Sequence, residues 1–126
     1  MKALGVHCIA EFYNCDAAIL NNHKHIRKVF VEAAKDSGAT IVKVAFHKFN
    51  PWGVSGVVVI AESHLTIHTW PEYGYAAVDV FTCGERVDPW VAATAIVREF
   101  QASRYTATET MRGIFEDIDM EKQAAS

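Results

Sequence analysis

Lysine is missing from a long central part of this chain: none stands between Lys48 and Lys122. Amino-acid chemistry seated in that stretch has no amine for a pyridoxal Schiff base, so its electron sink must come from elsewhere. Basic residues are scarce overall, with 12 Lys and Arg against 15 Asp and Glu, a net charge of −3 and a pI near 6.0. They are also scattered, which excludes the basic stripe of a nucleic-acid binder. Long apolar runs are absent too. The longest, from Gly53 to Ala61, is interrupted by Ser55 and falls far short of a membrane span. Met1-Lys2-Ala3-Leu4-Gly5 lacks the continuous apolar segment of an export signal. Cysteine is limited to Cys8, Cys15 and Cys83, an odd count without paired spacing. Free thiols in a reducing compartment, and hence a cytoplasmic location, are the expectation. Cys8 and Cys15 read as small buried hydrophobes.

What is present is ordinary globular protein. The 126 residues are 51% hydrophobic and 21% charged, which suits a single domain over 1–126 with one core. Ala3 to Tyr13 is β-prone with apolar residues on both parities, a strand covered on both faces. Asp16 can cap a helix whose apolar residues, Ile19/Leu20, Ile26, Val29/Phe30 and Ala33/Ala34, recur at helical spacing until Gly38. Strands are expected over Thr40–Phe49, Val54–Glu62, Leu65–Trp70 and Tyr75–Cys83, the last two joined by the turn tetrad Pro71-Glu72-Tyr73-Gly74. Asp88-Pro89 starts a second helix, and Tyr105–Met111 forms a short final strand. The order β-α-β-β-β-β-α-β predicts an α+β fold, a two-layer sandwich of mostly antiparallel sheet with both helices on one face. The other face of such apolar strands needs cover. A second copy of the sheet supplies it, which gives a homodimer packed sheet to sheet into a four-layer αββα assembly.

The chemistry concentrates in Glu62-Ser63-His64-Leu65-Thr66-Ile67-His68-Thr69-Trp70-Pro71-Glu72. His64 and His68 are four apart, the spacing of a helical zinc site. The β-branched alternation around them favours a strand, on which they lie about 13 Å apart. Zinc ligands sit about 2 Å from one ion, so no metal site is expected. His64 reads as a packing residue. The hairpin register says more. With a turn at 71–74, Trp70 faces Tyr75 and paired residue numbers sum to 145, so Ser63 falls opposite Thr82 and beside Cys83. His68 lies about 16 Å along the strand from Ser63. Within one chain it should not reach that serine, whereas the His68 of a facing copy could. A serine hydrolase is disfavoured on the same ground, and no Gly-x-Ser-x-Gly elbow surrounds Ser63.

This motif, continued through Tyr73 and joined to Phe81-Thr82-Cys83-Gly84, resembles the small prokaryotic S-adenosylmethionine decarboxylase proenzymes. The likeness extends through Leu4-Gly5, Glu11-Phe12-Tyr13, Gly53-Val54-Ser55-Gly56 and Asp88-Pro89-Trp90, and fades after about Ala102. It implies self-cleavage at Glu62-Ser63, leaving residues 1–62 as a β chain and residues 63–126 as an α chain. Ser63 becomes a covalent pyruvoyl cofactor, whose ketone takes up the substrate's amino group and draws electrons as carbon dioxide leaves. Cys83 would return a proton to the α-carbon. Ser55 and His68 would act in processing, supplied by the other protomer. Phe49, with Tyr13 opposite, would stack on the adenine, and Glu72 would hold the ribose. The alternative for either aromatic is a core residue. The implied substrate is S-adenosylmethionine and the product the aminopropyl donor of spermidine biosynthesis, with neither nucleic acid nor membrane as partner. Two other readings stay open: the same chemistry on arginine or ornithine, and an unprocessed paralogue that regulates.

Overall fold

The computed structural model describes residues 2–61, 63–83 and 87–116. Six strands and three helices follow in the order β1 (Lys2–Tyr13), α1 (Ala17–Leu20), α2 (His23–Asp36), β2 (Ile41–Lys48), β3 (Val54–Ile60), β4 (Ser63–Trp70), β5 (Tyr75–Cys83), α3 (Pro89–Glu99) and β6 (Arg104–Phe115). The strands make one antiparallel sheet in the order β2-β3-β4-β5-β1-β6. Alternation decides its two faces. Leu65, Ile67 and Thr69 of β4, with Ala76, Val78, Val80 and Thr82 of β5, are buried, while the residues between them are half-exposed. Helices α2 and α3 pack side by side on the buried face and bring Phe30, Ile26 and Ile96 into one core with Phe12, Val58 and Leu65. Phe30 and Phe12 both meet Phe100, at ring separations of 6.3 and 5.9 Å. Each such side chain removed from water contributes about 1.5–3 kcal/mol. The fold is therefore the α+β sheet-and-helix sandwich expected, with its second face open in the single chain.

Three details differ from the sequence reading. The first helix is two, because Leu20 cannot carry the turn onward: its carbonyl accepts the Thr69 hydroxyl at 2.7 Å. Asn21 then turns outward to accept the Gly53 N–H at 3.0 Å, and Asn22 caps α2 through the His25 N–H at 3.1 Å. Next, β3 ends at Ile60, and β4 begins at Ser63 instead of Leu65, since Ser63 pairs with Ile60 across the sheet. Finally, β6 runs to Phe115, well past Met111, because its ladder with β1 continues to Lys2. As expected, Asp88 caps α3 by accepting the Trp90 N–H at 2.9 Å. No helix among the described residues is long and apolar enough to cross a membrane.

Candidate active site

The β4–β5 hairpin positions the first group of residues. Its register pairs Trp70 with Tyr75 and His64 with Phe81, the sum of 145 that the turn tetrad predicts. Gly74 makes that turn possible. It sits at φ 62, its N–H donates to Pro71 O, and its carbonyl accepts the Cys15 N–H at 2.9 Å. A side chain there would be strained and would crowd the Cys15 carbonyl. At the far end of the hairpin the Ser63 hydroxyl donates to Cys83 Sγ at 3.6 Å. Both groups are half-buried. Only residues 61 and 62 separate β3 from β4 there, and Glu62, the expected cleavage partner, lies outside the described residues, as does Gly84. Opposite Cys83 on β1 stands Gly5, where a Cβ would lie 2.7 Å from the Phe81 ring.

His68 and Ser55 form a second group, at the other end of β4. They are direct cross-strand partners, and Ala77 flanks His68 on β5. With Phe49, Thr66 and Asp79 they line a groove of about 640 Å³ on the open face. Phe49 lies just beyond β2, with its ring 4.6 Å from His47 and 5.8 Å from His68. Glu72 is exposed in the turn. Tyr13 is not opposite Phe49 within one chain. It stacks on Tyr75 at 5.5 Å, under the Arg104 guanidinium at 4.3 Å, and the rings of Tyr75, Trp70 and His68 stand between it and Phe49. Tyr75 donates to Glu11 at 2.8 Å, and burial first, that bond second, push its phenol up to about 12.

Between the two groups runs a network that sequence reasoning missed. Asp79 accepts from Thr66 at 3.1 Å through one oxygen and meets His7 Nε2 at 2.9 Å through the other. Arg112 approaches His7 Nδ1 at 3.4 Å. One signal for it was available: Asp79 is the sole charged residue of a mostly apolar nine-residue strand. Its partners were not readable, because His7 is 72 positions away.

Chemically, the arrangement sets a hydroxyl nucleophile against a thiol at the mouth of a two-residue connection. The other two thiols are out of play because Cys8 and Cys15 are buried in the core, where desolvation pushes Cys8 up and Cys15 up to about 11. Among the described residues, no group of three or more His, Cys, Asp or Glu side chains could hold a metal ion.

Comparison with known proteins gives a consistent answer. The sequence profile of the S-adenosylmethionine decarboxylase family matches residues 6–113. The S-adenosylmethionine decarboxylase proenzyme of Acetivibrio thermocellus is 63% identical over 117 residues, covering 93% of this chain and 94% of its own. That of Caldicellulosiruptor saccharolyticus is 65% identical over 116 residues, or 92% and 94%. The crystal structure of the adenosylmethionine decarboxylase from Aquifex aeolicus superposes with a TM-score of 0.88 at 36% identity, over 94% of this chain and 98% of that one. By sequence and by fold, this chain belongs to the S-adenosylmethionine decarboxylase family.

Proposed function

We propose that this protein is a self-processing decarboxylase of S-adenosylmethionine, made as a precursor and matured by a break between Glu62 and Ser63. The observation that carries the reading is the 3.6 Å approach of the Ser63 hydroxyl to the Cys83 thiol. It sets the residue to be converted beside the group that would serve the converted site. In maturation the Ser63 hydroxyl attacks the Glu62 carbonyl carbon and the peptide nitrogen leaves, so an ester replaces the amide. Loss of the Ser63 Cα proton then breaks the Cβ–O bond and releases Glu62 as a carboxylate. Water replaces the nitrogen, which departs as ammonia, and residue 63 is left as a pyruvoyl group. That ketone supplies the electron sink for loss of carbon dioxide from a bound amino acid.

The chain's own residues have the remaining tasks. Cys83 delivers a proton to the substrate's α-carbon, and a thiol within van der Waals reach of residue 63 suits this. Ser55 and His68 assist the break. Because His68 sits five residues along β4 from Ser63, that help comes from a second copy whose open face meets this one. The product would be a homodimer with shared sites. Phe49 offers a flat face to the adenine and, with its neighbours, a favourable surround for a sulfonium cation. Glu72 takes the ribose hydroxyls, and Tyr13 closes the other side only as part of such an assembly. The decarboxylated product is an aminopropyl donor, as spermidine synthesis requires.

One preparation tests the reading. Intact mass spectrometry should find fragments 1–62 and 63–126, with a carbonyl-reactive probe on the second. The matured protein should release labelled carbon dioxide from carboxyl-labelled S-adenosylmethionine and not from arginine or ornithine. A wholly uncut population would refute the enzyme reading and favour a regulatory paralogue. Release from the basic amino acids alone would refute the substrate.

A further inference from the structure

Breaking the chain ahead of residue 63 changes what holds that residue. In the precursor it is interior and tethered on both sides. Afterwards it is a chain end, covalently attached only through His64 and paired at the last rung of the β3–β4 ladder, where ends fray unless something ties them down. The new end must nevertheless stay against Cys83 for every turnover.

The structure holds a device at this point. His64 lies flat on Phe81, its direct cross-strand partner, with ring centroids 5.6 Å apart and planes inclined by only 13°. Phe81, half-exposed on the open face, has two further neighbours. His7 meets it edge-on at 5.6 Å, and the Arg112 guanidinium covers it at 5.6 Å. Gly5 leaves the ring a seat that any side chain would fill. His7 is in turn fixed by Asp79, which Thr66 also holds. The ring beneath His64 is thus contacted by His7 and Arg112 as well, two residues from Cys83 on the same strand. We propose that the His64–Phe81 stack is a clamp that keeps the cut end of the chain in register beside Cys83. His64 and Phe81 are then positioning residues for decarboxylation. The inference rests on the break at 62–63 proposed above. His64 acts in it as a flat ring, not as an acid or base.

The test compares wild type, His64→Ala and His64→Phe, each cleaved and each in a Ser63→Ala background that stays whole. Intact mass gives the extent of cleavage. Amide hydrogen exchange over residues 64–70 reports how firmly the end is held. In cleaved His64→Ala, exchange should accelerate about tenfold, while the uncut counterpart exchanges like uncut wild type. Turnover should fall about tenfold in kcat with KM nearly unchanged, since a displaced reacting group costs rate more than binding. His64→Phe should restore both readouts without moving the pH profile. Unchanged exchange in cleaved His64→Ala, or failure of phenylalanine to restore it, overturns the clamp. Should His64→Ala not cleave, Gly5→Ala carries the same test by pushing Phe81 from the opposite strand. Absence of cleavage in the wild type refutes the function instead, so the two failures are distinguishable.

Discussion

Replacing Cys83 with alanine separates maturation from turnover. The Ser63 hydroxyl keeps its own strand position in that variant, so intact mass should still show two fragments. Loss of the proposed proton donor should lower kcat by about 10²–10⁴-fold, as removal of a general acid does, measured by release of labelled carbon dioxide. That these two side chains adjoin was legible in the sequence, because a turn fixed at residues 71–74 dictates every later pairing of the hairpin. The bond between Asp79 and His7 was not. It joins β5 to β1 over 72 positions, and although a charge in its strand marks Asp79, nothing local marks His7 as its partner.

Thr69 links three elements that lie far apart in sequence. Its buried hydroxyl accepts the Val54 N–H at 2.9 Å and donates to Leu20 O at 2.7 Å, tying the start of β3 and the end of α1 to β4. Thr69→Val keeps the shape and strands both partners. The expected loss is about 1–3 kcal/mol, read as a lower urea midpoint at unchanged m-value. Fragmentation at 62–63 should persist, since that end of β4 is untouched. The same bond explains why one helix was expected where two are found: periodicity over residues 17–36 is continuous, and the interruption comes from a residue about fifty positions away. The length of β6 escaped for a different reason. Most of its residues are exposed, so it shows little of the alternation that marks a half-buried strand, and only the β1 ladder defines it.

At the scale of the molecule, sharing of sites between copies has a direct test. Under the proposed maturation Ser63→Ala chains should stay whole, and His68→Ala chains should be cut poorly when made alone. Made together and paired at random, about half of the His68→Ala chains acquire a partner with an intact histidine and should mature. If none do, His68 serves its own chain and the proposed arrangement fails. Stability should also depend on alkaline pH. Burial raises the Cys15 thiol from its ordinary 9.0 to about 11 in the folded state. The folded chain therefore holds this proton after the unfolded chain has released it. The contribution is complete below pH 9 and is lost as pH rises from 9 through 11. The melting temperature should fall across that window, and Cys15→Ala should flatten the fall.

The sheet order settles what becomes of a severed backbone. Residues 1–62 supply β1, β2 and β3, and residues 63–126 supply β4, β5 and β6. Yet β1 is inserted between β5 and β6, and β3 borders β4. Each piece is thus laced through the other along three ladders. A nick in the short connection after β3 would create two polypeptides without creating two bodies. Separating them would require unzipping the middle of the sheet, and a pair so parted would have to find each other again in solution before refolding. Maturation of this kind turns a unimolecular folding problem into a bimolecular one, solved in advance by folding before the cut.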